Sequence, residues 1–214
     1  PGFQPQNILT LELTMTGAKY NDAASIIATY RALWGRLSNL PGVTAAGGVS
    51  ALPLSRMFAW GPITVEGRQP PPGEKFINAD QRFVGGDYFR TMGIPLVRGR
   101  TFTDQDTRDN PRVTIVDAHM AAQLWPGEDA IGKRIRTGGP DSNSPWITVV
   151  GIVGRVKQYA LDSDSRITMY LAQTQYPVRA MNVVVKASAA PENVTSMVRK
   201  EIGELDANLP IYGV

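Results

Sequence analysis

Asn7-Ile8-Leu9-Thr10-Leu11-Glu12-Leu13-Thr14-Met15 alternates Leu9, Leu11, Leu13 and Met15 with polar residues, the period-two pattern of a strand with one buried face. Asn21 or Asp22 follows as an N-cap, because a short side-chain acceptor satisfies the free amide donors of a first helical turn. Ile26, Tyr30, Leu33, Leu37 and Leu40 then recur at three- and four-residue spacing, with Ile27 and Trp34 beside them. They predict a helix that stops at Pro41-Gly42, and 43–49 reads as a second strand. The far end of the chain repeats this β-α-β plan. Asn182-Val183-Val184-Val185-Lys186 is a strand, and Pro191 suits a first helical position, where no amide donor is missed. Val194, Met197, Val198, Ile202 and Leu205 form the apolar stripe of the helix, and Ile211-Tyr212 begins another strand. Each unit alone leaves an apolar helix face and a sheet edge uncovered. Packed side by side, the two units form a small sandwich with helices over one sheet face.

Between these ends the pattern changes to short strands at 63–65, 76–84, 112–116, 147–153 and 167–171, separated by Gly/Pro-rich loops. Short helices fit 87–92 and 118–124. The fold class is therefore α+β: N- and C-terminal β-α-β units packed as one subdomain (1–52 and 178–214), with an inserted, mostly β subdomain at 53–177. The loop Gly138-Gly139-Pro140-Asp141-Ser142-Asn143-Ser144 is expected to be mobile.

Composition excludes several classes. With 214 residues, 43% hydrophobic and 19% charged, the chain is neither disordered nor a coiled coil. Lys+Arg 22 against Asp+Glu 19 gives only +3, and the basic residues are scattered, which argues against a nucleic-acid partner. There is no cysteine, so zinc ribbons, iron–sulfur clusters, thiol catalysis and disulfides are excluded. No apolar run reaches the roughly 18–20 residues of a membrane helix. A start at Pro1-Gly2-Phe3, without Met or a basic leader, reads as a piece of something longer.

No catalytic, cofactor-binding or metal constellation emerges. His119 is the sole histidine and has no partner at metal-ligand spacing. Ser50 follows Gly48-Val49, but Ala51-Leu52 replace the second glycine of a nucleophile elbow. Asp104, Asp106 and Asp109 lack the central Gly and closing Glu of a calcium loop. Gly127-Glu128-Asp129-Ala130-Ile131-Gly132-Lys133-Arg134 has phosphate-loop spacing as far as the lysine. It then places Arg134 where a magnesium-ligating Ser or Thr belongs, with two acids facing the anion. Asn193-Val194-Thr195 fits a glycosylation tripeptide inside the predicted last helix. One apolar loop stands out, containing Met57, Phe58 and Trp60. It either touches a cargo or partner, or its rings plug the junction between subdomains.

Several strings together resemble the MacB-like periplasmic core domain of MacB/FtsX-type ABC transporter permeases. Phe83-Val84-Gly85-Gly86-Asp87-Tyr88-Phe89-Arg90-Thr91-Met92-Gly93, continuing to Gly99-Arg100-Thr101-Phe102, is similar to that family's "YFxxxGxxLxxGRxF" stretch. Trp125-Pro126-Gly127-Glu128-Asp129-Ala130-Ile131-Gly132-Lys133 looks like its "FPGxdpiGk" segment. Val149-Val150-Gly151-Ile152-Val153 resembles its "VVGVV" strand, and Leu205-Asp206-Ala207-Asn208-Leu209-Pro210-Ile211 its closing "LDPxLPV". Ala207 replaces the usual proline and Trp125 the usual phenylalanine, and Val116-Asp117-Ala118-His119 stands where "VNEA" is common.

The resemblance implies a non-enzymatic domain without cofactors, on the periplasmic or extracytoplasmic face of the cytoplasmic membrane. Membrane helices flank such a domain, and it transmits ATP-driven motion to export or release of a periplasmic or membrane-associated cargo. Implied partners are a second permease copy or pseudo-dimer half and a cytoplasmic ABC ATPase. Some members add a periplasmic adaptor and an outer-membrane channel. The alternative is an extracytoplasmic ligand-binding sensor or solute-capture module.

Overall fold

The computed structural model describes every residue except Arg56 and Ser165, and the described residues form eleven strands and four α-helices. They are β1 (Ile8–Thr14), α1 (Ala23–Ser38), β2 (Val43–Val49), β3 (Trp60–Val65), β4 (Ile77–Gly86), α2 (Tyr88–Thr91), β5 (Leu96–Gly99), β6 (Val113–Asp117), α3 (Ala118–Leu124), β7 (Arg134–Thr137), β8 (Ile147–Val153), β9 (Thr168–Ala172), β10 (Ala180–Ala187), α4 (Glu192–Leu205) and β11 (Ile211–Tyr212). The chain divides into two compact units. One holds Phe3–Leu52, Phe83–Ile94 and Tyr176–Val214; the other holds Pro1–Gly2, Pro53–Arg82 and Pro95–Gln175.

The unit containing the N- and C-terminal β-α-β segments is interleaved rather than laid side by side. Its strand order is β11-β1-β10-β2-β4, so β10 lies between β1 and β2 while β1 lies between β11 and β10. The central pair is antiparallel, with Leu11 opposite Val183 and Leu13 opposite Met181. This is a split β-α-β arrangement. The period-two alternation of β1 turns Leu9, Leu11 and Leu13 toward one core, where Tyr30, Leu33 and Leu37 of α1 and Val194, Val198 and Ile202 of α4 meet them. Asp22 is the N-cap of α1, its carboxylate accepting from the Ser25 amide at 2.8 Å. Between the two β-α-β segments, Tyr20 donates to Asp206 at 2.6 Å, and burial pushes its phenol up to about 12. Tyr20→Phe is expected to lower the urea midpoint by about 0.5 M at unchanged m, since one hydrogen bond to a charged acceptor is lost.

Residues 83–94 fall in this unit, not in the inserted part where the sequence placed them, and the cause lies in β2. Gly47 and Gly48 are successive residues and so face opposite sides of the sheet. A Cβ on Gly48 would meet Met181 Sδ at 2.5 Å and the Trp34 ring at 2.7 Å; one on Gly47 would lie 2.5 Å from the Tyr88 backbone nitrogen. Thus α1 covers one face and α2 the other. The helices of the two β-α-β units, α1 and α4, share one face as expected, and α2 adds cover on the other.

In the other unit, β4, β3, β7, β8, β6 and β9 pair in that order, and β9 also pairs with β4, so six strands close on themselves. The β3–β4, β3–β7, β7–β8 and β6–β9 pairings are antiparallel and β6–β8 is parallel. Closure leaves no open edge in this ring. β5 adds to β8, and a Cβ on Gly151 would lie 2.1 Å from the Arg100 carbonyl oxygen, so the glycine of the "VVGVV" string is the residue that lets β5 approach. The loop at 138–144 is fastened rather than loose. Ser142 donates to the Thr137 carbonyl at 2.6 Å, Arg136 to the Ser142 carbonyl at 2.6 Å, and Thr64 to the Gly138 carbonyl at 3.0 Å.

Candidate functional site

The apolar loop that leads into β3 is exposed: Met57 by 48%, Phe58 by 77% and Trp60 by 45%. Neither ring is a buried plug. Phe58 tilts against Tyr159 with centroids 5.8 Å apart, and the Arg166 guanidinium lies 4.2 Å from the Trp60 ring centroid and 5.3 Å from that of Tyr159. Three rings and one cation therefore form a continuous shelf. Tyr159 anchors it, because its hydroxyl donates to Asp80 Oδ1 on β4. Asp80 is fully buried, and among the described residues its Oδ2 has no hydrogen-bond partner. Burial raises its pKa, against the Tyr159 hydrogen bond and the charges of Arg82 and Arg166, which favour the anion. Burial, then Asp80 itself, raises the Tyr159 phenol. Met57, Phe58 and Trp60 were legible as a loop; Tyr159, Arg166 and Asp80 were not, since no local pattern links positions about a hundred residues apart.

A second buried acid lies behind this shelf. Asp117 caps α3, with Oδ1 accepting from the amides of Met120 at 2.8 Å and Thr168 at 3.3 Å, while Oδ2 is unpartnered among the described residues. Burial pushes it up to about 6, with the Asp80 charge a smaller contribution in the same direction.

The near-miss motifs resolve into structural contacts. Ser50 Oγ accepts from the Phe83 amide at 3.0 Å, where it helps pair β2 with β4. Asp106 receives both Arg100 nitrogens at 2.8 and 2.9 Å and the Thr103 amide at 2.7 Å, which holds its carboxyl below the usual range despite burial. Asp129 accepts from Arg98 at 2.6 Å, and Glu128 from Lys133 at 3.1 Å and from Arg68. The lysine of the phosphate-loop spacing is thus turned onto an acid of the same loop. Its surroundings form an open depression of about 430 Å³ lined by Trp125, Ala121 and Ile152 among others. His119 sits on α3, half-buried. Asn193 lies in the first turn of α4. Among the described residues, no three His, Cys, Asp or Glu side chains are grouped to hold a metal ion, and no helix is long and apolar enough to cross a membrane.

Residues 6–204 match the family model described as the MacB-like periplasmic core domain. The chain belongs to this family. The MacB-like domain is similar over 77 residues, at 34% identity, to the macrolide export ATP-binding/permease protein MacB of Hahella chejuensis, covering 36% of this chain and 11% of that protein. Over 106 residues it is 29% identical to the protein of the same name from Shigella dysenteriae, covering 49% of this chain and 15% of the relative. The chain therefore spans a small fraction of the length of these relatives. Among solved structures, the periplasmic region of MacB from Actinobacillus actinomycetemcomitans aligns with a TM-score of 0.61 at 15% identity, over 99% of this chain and 90% of that one. The extracellular domain of the ABC-type transporter YknZ from Gram-positive bacteria aligns with a TM-score of 0.54 at 17% identity, over 96% and 100% of the two chains. These likenesses show the shared fold. The chain is thus a MacB-like periplasmic core domain, and the α+β class is as its sequence reads.

Proposed function

We propose that the domain is a non-enzymatic coupling element: it carries ATP-driven motion of its parent permease to a cargo outside the membrane. The observation that carries this reading is the interleaving of head and tail. β1 and β11 are antiparallel neighbours, with Glu12 opposite Tyr212, so the chain enters β1 at the same end of the sheet from which it leaves β11. Displacement applied to either strand is delivered to one hydrogen-bonded sheet with one core. The division into subdomains follows in the same terms, with the interleaved unit as a rigid base beside the membrane and the closed six-stranded unit as the part that shifts against it. The partners in this reading are membrane helices of the parent, a cytoplasmic ABC ATPase and a second permease copy or pseudo-dimer half. A periplasmic adaptor and an outer-membrane channel join where the assembly spans two membranes. Met57, Phe58 and Trp60 are the proposed surface for cargo or partner.

The 214-residue chain has no cysteine of its own, so within it only introduced sites take a label once any cysteine elsewhere in the parent is replaced. Spin labels at Glu12 and Lys200 in the parent permease, reconstituted with its ATPase, are expected to keep their separation between nucleotide-free and ATP-bound states. A pair at Glu12 and Asp141 is expected to shift by several ångströms on the scale of rigid-body switching. An unchanged Glu12–Asp141 distance would remove the coupling role. A saturable thermal shift of the isolated domain with a small apolar ligand would instead support the solute-capture reading.

A further inference from the structure

Arg166 is the one group of the aromatic shelf whose chemistry is left open. Its guanidinium is held by Trp60 and Tyr159, yet among the described residues it has no hydrogen-bonding acceptor, and the residue is exposed. A stacked guanidinium uses its faces and keeps its N–H edge available, the geometry that receives a carboxylate in two parallel hydrogen bonds. Phe58 and Met57 extend the apolar surface beside it, and Leu161, 62% exposed, follows Tyr159 by two residues. Trp, Tyr and Arg in one cluster, with Met and Phe next to them, is the composition of a protein-binding hot spot.

We infer that this shelf docks a protein segment in which a single Asp or Glu is flanked by aromatic or aliphatic side chains, the carboxylate meeting Arg166 and the apolar neighbours lying on Phe58, Trp60 and Met57. This inference rests on the reading of Met57, Phe58 and Trp60 as a contact surface and names its partner. The charges on the loop select a protein over other anions. Asp162 and Asp164 are exposed on the same loop, and they disfavour a polyanion such as nucleic acid. Among the described residues of the shelf, Arg166 is the one exposed guanidinium, far from the polybasic cluster that membrane recruitment needs. One matched carboxylate within an apolar segment fits both facts. The anchor is stiff, because Tyr159 is tied to buried Asp80, so the shelf is assembled before a partner arrives.

The test is selection of phage-displayed random peptides of about twelve residues on the 214-residue chain, followed by titration of the enriched peptides through Trp fluorescence. The enriched peptides are expected to carry Asp or Glu next to Phe, Trp, Leu or Met. Affinity is expected to fall about tenfold for Arg166→Gln, for Phe58→Ala, and when the peptide acid is replaced by its amide, with Arg166→Lys recovering only part of the loss. All three substitutions lie on exposed side chains, so folding is checked by an unchanged urea midpoint. Peptides that bind through Phe58 but ignore Arg166 would keep the contact surface and overturn the acidic partner. Failure to enrich any peptide would overturn both, while leaving the label-distance experiment on coupling untouched. Arg166-dependent binding to vesicles of about one-third phosphatidylglycerol, stronger than to any selected peptide, would replace the protein partner by a lipid.

Discussion

Gly47→Ala is expected to be the most damaging single-methyl change in the interleaved unit, destabilising it by about 3 kcal/mol or more. The new Cβ would lie 2.5 Å from the Tyr88 nitrogen and 2.7 Å from the Gly85 carbonyl oxygen, and both obstacles are backbone. Relief requires moving α2 away from β2, or β4 out of register with it, where Gly47 pairs with Gly86. Gly48→Ala is the internal control. Its Cβ would meet the flexible end of Met181 and the edge of Trp34, which can yield by rotamer changes, so its cost is expected to stay at about 1–2 kcal/mol. Urea denaturation of the two variants checks the order. A Gly47→Ala loss below that of Gly48→Ala would mean that residues 83–94 are not held against β2 as described.

The same glycine pair explains what the sequence could and could not disclose. The alternation of 7–15, the continuous apolar run at 183–185 and the helical stripes beside them mark a half-buried strand, a fully buried one and two packed helices, and those elements form as read. β5 carries no such signal, because all four of its residues, Leu96–Gly99, are exposed, and β7 has only Ile135 buried. Neither strand can be distinguished from loop by pattern. Interleaving is equally silent, since side-by-side and interdigitated β-α-β units bury the same residues. Asp80 carries no signal of its own: between Ala79 and Gln81 it occupies a position that alternation assigns to solvent, yet it is fully buried, and its partner Tyr159 lies 79 residues further along the chain. The shelf was half legible for that reason. Its apolar members announce themselves in one loop, whereas the cation and the buried anchor come from elsewhere and join only through the closure of β9 on β4.

Asp117 gives the second large effect, and its sign depends on pH. A buried carboxyl raised to about 6 binds its proton more tightly in the folded chain than in the unfolded one, whose ordinary value is near 3.8. Between those values the folded state carries more protons, so this group's contribution to stability declines as pH rises from about 4 to about 6 and stays low above that. Asp117→Asn keeps an acceptor for the Met120 and Thr168 amides but has no proton to lose. Relative to the parent chain, the Asn variant is therefore expected to gain up to about 3 kcal/mol in stability between pH 4 and pH 7. Acids with lowered values, Asp106 and Asp206, pull the absolute profile the other way, but they are common to both proteins and cancel in the difference. Asp117→Ala separates the cap from the charge: it removes the charge and orphans two amides in a buried site, so it is expected to be less stable than Asp117→Asn by about 2–4 kcal/mol at every pH. Urea titrations of the three proteins at pH 4, 5, 6 and 7 read both effects. A flat difference between parent and Asn variant would show that Asp117 ionises as if exposed, and would place water rather than packed protein around the acids behind the shelf.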